Sequence, residues 1–441
     1  MDPLFPARAR TTPPSLRLRV SRILACIRTW HIFVVALALR LPLFWLRQTP
    51  LINTESIKAG FTLAQRGYLG DPFAIPTGPT AHLSPAYPLV VAAVRSITPS
   101  DNACMYILSI IFAVVTSCNI AALLPVSRAL KLPRASGTIA ALMWLIPFFT
   151  WIELSGEFET PFSVTALLAL VTLVARITAS ARPTIVTGVK LGLAAGVAAY
   201  VTPLVLTVTA FATIVGARLV RWKTQSLVAV LAGATLAFAA AILPYTLRNH
   251  QVFGAWFFMR DDFGLELAMS NGPNARATFE ENSEVGGTLR HHPFASRAAA
   301  VELRDLGEVE YNRRLGTAAI TWIKANPVEF LKLVIQRAGY MVLPQAKHWY
   351  QRVIAGAISL MAIAGSVLLW PSRYRFGIRC LSAAILGYLL VFLLIEHFMR
   401  YMYPALFLES LIAASFLVVV AKWNDPGLPQ TEWDGNTEPV S

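Results

Sequence analysis

WHIFVVALALRLPLFWL (30–46) is apolar apart from His31 and Arg40, and it follows a stretch carrying Arg8, Arg10, Arg17, Arg19, Arg22 and Arg28. An apolar run with a basic flank and no small-residue cleavage site after it reads as a retained signal anchor, its amino terminus in the cytoplasm. That assignment sets the sidedness of every later segment. Further apolar runs lie near 104–126, 136–152, 160–177, 184–199, 202–217, 225–246, 352–370, 380–397 and 402–421. With the amino terminus inside, the turns holding Arg128/Lys131/Arg134, Arg176/Arg182, Arg218/Arg221/Lys223 and Arg373/Arg375/Arg379 all fall inside. The turn from Glu153 to Glu159 and the segments 47–103 and 247–351 fall outside. Basic residues gather on the cytoplasmic side in such proteins, so the pattern predicts about ten spans, within a range of nine to thirteen. Pro85 to Ile97 and Pro327 to Leu343 must then not cross. Each is short or charged (Arg95; Glu329, Lys332 and Arg337), which suits helices lying in the interface.

Composition agrees. Of 441 residues, 56% are hydrophobic and 14% charged, against about 25% charged in soluble domains, so lipid is the expected solvent. The net charge of +14 is dispersed in short clusters between apolar runs, which argues against a nucleic-acid partner. Cys26, Cys104, Cys118 and Cys380 lie in or beside apolar segments without metal-ligand spacing, so neither a disulfide framework nor a zinc site is implied. The expected architecture is an all-α polytopic membrane protein. It has a basic cytoplasmic lead (1–29), a transmembrane domain (30–422) with a large outer loop between spans seven and eight, and a disordered cytoplasmic tail (423–441).

The first outer loop carries the most information: LINTESIKAGFTLAQRGYLGDPFAIPTGPTAHLSPAYPLVVAAV (51–94). Ile57, Phe61 and Leu63/Ala64 recur at helical spacing, which predicts a short interfacial helix from Glu55 to Gln65 with Thr54 near its cap. A carboxylate at that helix start stays ionised, so Glu55 is a candidate base. Beyond it an irregular Gly- and Pro-rich loop holds His82 and Tyr87. Arg40 and Arg248 border the outer ends of their spans. Glu157 sits in an outer turn, and His397, Arg400 and Tyr401 open the last span. Asp261 and Asp262 read as loop surface. Each has a plainer reading too: cap, snorkelling cation, loop histidine or interfacial anchor.

An acidic residue after the first span, a Gly-containing helix and the Pro-x-Tyr-Pro element at 85–88 together resemble the GT-C membrane glycosyltransferases. These include the protein O-mannosyltransferases, the lipid A aminoarabinose transferases and the Rgt-type sugar transferases. The resemblance continues at ELSGEFETP (153–161), PYTLRNHQVFGAWFFMRDDFGLELAMSNGP (244–273), LGEVEYNRRLGTAAITWIKANPVEFLKLVIQR (306–337) and HFMRYMYPALFLE (397–409). Where the family often has Asp or Asp-Glu, this chain has Thr54-Glu55. The resemblance implies an inverting transfer of a sugar from a polyprenyl-phosphate donor to a lipid, glycan or protein acceptor. It places the protein in a cell membrane of the bacterial inner-membrane kind, the site facing the periplasm or exterior. In that chemistry Glu55 is the base, while Arg400, Arg40 and Arg248 hold the donor phosphate. His82, Tyr87, Glu157, His397 and Tyr401 line the substrate. No cofactor is indicated, a divalent metal being possible but unsupported by any ligand pattern. A polytopic transporter or lipid flippase is the alternative, and it predicts charges at span centres, of which few are present.

Overall fold

The computed structural model describes residues 26–45, 54–154, 159–179 and 183–421. Glu157, the leading arginines up to Arg22, Arg182 and the tail 423–441 lie outside the described residues, so the expectations placed on them are not addressed. The described chain is nearly all helix, with two isolated β-bridges, Gly70 with Pro79 and Thr278 with His397. In chain order the first helices are α1 (Thr29–Trp45), α2 (Glu55–Arg66), α3 (Ala86–Ile97), α4 (Asp101–Ala129), α5 (Ser136–Met143), α6 (Thr150–Leu154) and α7 (Thr160–Thr178). Then come α8 (Ile185–Ala199), α9 (Val205–Leu219), α10 (Thr224–Phe253), α11 (Phe263–Ser270), α12 (Phe279–Val285) and α13 (Gly287–His291). The last are α14 (Arg297–Leu306), α15 (Glu308–Ala325), α16 (Pro327–Val342), α17 (Trp349–Leu369), α18 (Arg375–Leu389) and α19 (Met399–Val420).

Among the described residues, six helical stretches are long and apolar enough to cross a membrane: α4, α7, α10, α17, α18 with its following 3-10 turn, and α19. Four shorter apolar helices accompany them: α1, α3, α8 and α9. One expected span is not a continuous helix. Over 136–152 the chain forms α5, turns, and restarts as α6. Pro147 explains the break, since it lacks an N–H and disfavours a helical residue before it. The helix expected at 225–246 runs on to Phe253, so Arg248 sits on its last turns rather than in a loop. The segment 247–351, expected as an outer loop, is mostly helical. Pro85 to Ile97 and Pro327 to Leu343 appear as the short helices α3 and α16.

The most buried span is α19, which packs against α5, α7, α17 and α18. Lipid gives helices little hydrophobic reason to associate, so close approach depends on small side chains. The α8–α10 pair shows this. Gly188, Gly192 and Gly196 lie four residues apart on α8, and a Cβ at Gly192 would lie 2.1 Å from the carbonyl oxygen of Ala234. A separate apolar cluster gathers Phe73, Leu265, Met269, Ala300, Leu303 and Tyr311, mostly from α11, α14 and α15.

Candidate functional site

α2 begins at Thr54, whose backbone is extended, and ends at Gly67 in the left-handed region, where the N–H of Gly67 reaches back to Leu63. Its buried face (Ile57, Ala59, Gly60) docks on α3 and α4, and Glu55 lines a pocket with residues from distant parts of the chain. The backbone at 80–82 is clamped by side chains from later in the chain. Glu308 accepts the Thr80 hydroxyl and the Ala81 N–H, each at 2.6 Å. Arg248 donates to the Thr80 carbonyl at 3.1 Å, and Arg260 Nε to the His82 carbonyl at 2.8 Å. These bonds fix His82 so that its Nε2 lies 3.2 Å from Glu55 Oε1. His292, just past α13, brings its Nε2 within 3.5 Å of the same oxygen.

Burial opposes ionisation of Glu55, but His82 and His292 outweigh it and hold the carboxyl down at about 2. For His82, burial works against the proton and the Glu55 charge more than offsets it, raising the imidazole to about 9. His292 goes the other way. Burial lowers it to about 4, so it is neutral at physiological pH. Its tautomer follows from a neighbour: Nδ1 accepts the Phe294 N–H at 3.2 Å, which leaves the ring proton on Nε2, facing Glu55.

The side-chain ligand atoms of Glu55, His82 and His292 lie within 4.8 Å of one another, a spacing that suits a tetrahedral ion. The tautomer does not suit it. A protonated Nε2 has no lone pair for a metal, and moving the proton to Nδ1 would set it against the Phe294 N–H. The three residues form a carboxylate held by two imidazoles, and no catalytic step is assigned to an ion here.

Across the pocket stand Arg400 and Tyr401 from the start of α19, with Arg260, Glu159, Glu266 and Glu396. The Arg400 guanidinium lies 5.2 Å from the ring centroid of Phe398 and 5.1 Å from that of Tyr401, and Tyr401 stacks on Phe392. Arg260 pairs with Asp262, contrary to a surface reading of that aspartate. Glu396 is buried; Asn282 donates to its Oε2 at 2.5 Å, and burial pushes its carboxyl up to about 8. Burial likewise raises Glu266.

The structure thus brings Glu55, His82, Arg400 and Tyr401 together. It does not bring the other described candidates to the pocket. Arg40 is fully buried, with Nη2 2.8 Å from Glu153 Oε2 and 3.0 Å from the Trp144 carbonyl. A charge on an apolar helix needs such partners, and pairing replaces snorkelling. Arg248 is committed to the loop carbonyls of Thr80 and Leu69. Tyr87 lies in the core against Phe112 and Phe162. His397 is buried behind the pocket, its Nε2 3.4 Å from the Gln345 carbonyl. Sequence reasoning missed Arg260, His292, Glu266 and Glu396; Glu159 lines the wall, while Glu157 lies outside the described residues. The charged run Arg260-Asp261-Asp262 in an otherwise apolar segment was the available signal.

No family model and no curated protein matches the chain. Three solved structures of the oligosaccharyltransferase of Archaeoglobus fulgidus do. The apo form superposes with a TM-score of 0.53 at 15% identity, covering 92% of this chain and 51% of that one. The form in complex with an inhibitory peptide and a dolichol-phosphate gives 0.52 at 15% identity, covering 92% and 50%. The complex with Zn and sulfate gives 0.53 at 15% identity, covering 89% and 49%. The chain spans about half the length of these proteins, and over that half it is similar to them in fold.

Proposed function

We propose that the protein is a membrane glycosyltransferase that moves a sugar from a polyprenyl-phosphate donor to an acceptor hydroxyl on the outer face, with inversion at the anomeric carbon. One observation carries this reading: a single pocket joins an ionised carboxylate, Glu55, to a guanidinium, Arg400, from opposite ends of the chain. The fold of enzymes named oligosaccharyltransferases, one of them holding a dolichol-phosphate, supports it.

In this reading Arg400 and Arg260 neutralise the leaving phosphate, the task for which a planar guanidinium is suited. The acceptor oxygen attacks the anomeric carbon as the C–O bond to phosphate breaks, and its proton passes to Glu55. Carbon–oxygen bond formation makes that proton acidic before it leaves, so a weakly basic carboxylate suffices. The His82 cation keeps Glu55 ionised between turnovers. Glu159, Glu266 and Glu396 offer hydrogen bonds to sugar hydroxyls. Purified protein in proteoliposomes, supplied with a radiolabelled polyprenyl-phosphate sugar and membrane-derived acceptor fractions, should release polyprenyl phosphate and label the acceptor. Intact donor after exhaustive incubation, together with transbilayer movement of the lipid, would favour a flippase instead.

A further inference from the structure

α2 carries a second polar surface that leads away from Glu55. Lys58, Thr62, Gln65 and Arg66 follow it at the intervals that share one helix face. They border an open groove of about 200 Å³, lined also by Phe61, Asp71 and Pro76. Among the described residues Asp71 is the only carboxylate in this lining, and it is already saturated. Its Oδ1 accepts the N–H groups of Thr77 and Gly78 at 2.9 and 2.8 Å. Its Oδ2 accepts the Tyr68 hydroxyl at 2.7 Å and Arg66 Nη1 at 2.9 Å. Asp71 therefore holds Arg66 in place and has no lone pair to give a ligand. Arg66 keeps its side chain 57% exposed, with Nε and Nη2 beyond the bond to Asp71. Lys58 is fixed by a 3.0 Å bond to the Phe73 carbonyl and lies 4.7 Å from the Phe294 ring centroid. The groove thus presents two oriented cations, a hydroxyl, an amide and a ring, the Asp71 carboxylate in its lining being spent on Arg66 Nη1, Tyr68 and the Thr77 and Gly78 N–H groups.

We propose that this groove is the acceptor subsite and that the acceptor is an anionic oligosaccharide laid along α2, its reacting hydroxyl at Glu55 and its acidic groups on Lys58 and Arg66. The inference rests on the glycosyltransferase reading and names its acceptor class. From Glu55 to Arg66 the helix advances about 16 Å, a path for a chain of sugars rather than one ring. A peptide acceptor fits less well. The Thr77 and Gly78 N–H groups are consumed by Asp71, so they offer no strand edge to an extended peptide.

The test is direct binding to the full chain in nanodiscs of uncharged lipid, read by ligand-observed NMR without donor. The probes are an oligogalacturonate, its neutral galactose counterpart and a polyglutamate peptide of equal charge. The uronate chain should bind about tenfold more tightly than the neutral one. Arg66→Glu should erase that preference, and Thr62→Trp, which fills the groove, should weaken both saccharides. Thermal midpoints of both variants verify that they are folded. Absence of uronate binding, equal binding by wild type and Arg66→Glu, or tighter binding of polyglutamate would each overturn the proposal. No donor is present, so saccharide binding without any transfer in proteoliposomes would count against the glycosyltransferase reading alone.

Discussion

His82 Nε2 stands 3.2 Å from Glu55 Oε1, and the bond from Arg260 to the His82 carbonyl sets that distance from a different part of the chain. The pair keeps Glu55 ionised down to about pH 2 and fixes its direction. Glu55→Gln keeps size and hydrogen bonding but removes the charge. Turnover should fall by about 10²-fold or more, the scale of a lost general base, while donor affinity survives. Near-normal transfer by this variant would pass the role to another carboxylate of the pocket, Glu159 first. Because His292 offers a protonated nitrogen to this centre, transfer should also survive exhaustive chelation. Activity lost to a chelator and restored by zinc or manganese would reassign the trio to an ion.

Arg400 and Arg260 are separable in donor binding. A guanidinium grips two phosphate oxygens where an ammonium offers a point charge. Arg400→Lys should retain partial donor affinity and Arg400→Ala should lose both affinity and rate. The measurement is donor titration and initial transfer rate at matched expression. Unchanged kinetics in the alanine variant would reduce Arg400 to an interfacial anchor.

Glu396 gives a pH prediction with a definite sign. Burial raises its carboxyl from 4.5 to about 8 in the folded protein. The folded state therefore holds this proton more tightly than the unfolded state. The associated stability is complete below pH 4.5 and is lost as pH rises through about 8. Glutamine mimics the neutral acid at every pH. The thermal midpoint of Glu396→Gln minus that of wild type should thus increase between pH 5 and pH 9. Glu266, Glu280, Arg337 and Asn282 face the same site, and the titration of Glu266 shifts with the charge on Glu396, so the difference reports the pair rather than Glu396 by itself. A difference independent of pH would mean that Glu396 is ionised when folded.

Sidedness is tested by labelling intact cells with an impermeant thiol reagent, in a background without the native cysteines. Gln65→Cys and Asn274→Cys, both at exposed positions, should react, and Arg373→Cys should not. Ser56 is less suitable because it is buried in the pocket wall. Labelling of Arg373→Cys would invert the topology.

The α8–α10 seam predicts a stability effect remote from the site. Gly192→Leu drives a side chain into the Ala234 carbonyl, where even a Cβ would lie 2.1 Å away. Overpacking costs about 1–3 kcal/mol in a well-packed core, and more when the obstacle is backbone. The detergent thermal midpoint should drop accordingly. No change would mean that this helix pair is looser than the carbonyl approach implies.

Apolar runs and basic turns alone determined that the chain is helical and built for lipid, because those features are local and additive along the sequence. The helix at Glu55, with its cap at Thr54, was likewise readable from spacing, as was the short length of α3 and α16. Helix continuity was harder to read: Pro147 split an expected span, and α10 continued past its apolar stretch. The site was decided by tertiary structure. Arg40 and Arg400 look alike in sequence, each an arginine at an apolar run. Glu153 occupies the first, whereas the second opens onto the pocket with Glu55. His292 and Glu396 carry no local mark of function; their protonation is set by burial and by Glu55, Phe294 and Asn282, which only folding brings near. Local pattern records which solvent a segment prefers. Which charges meet depends on contacts between residues far apart in the chain.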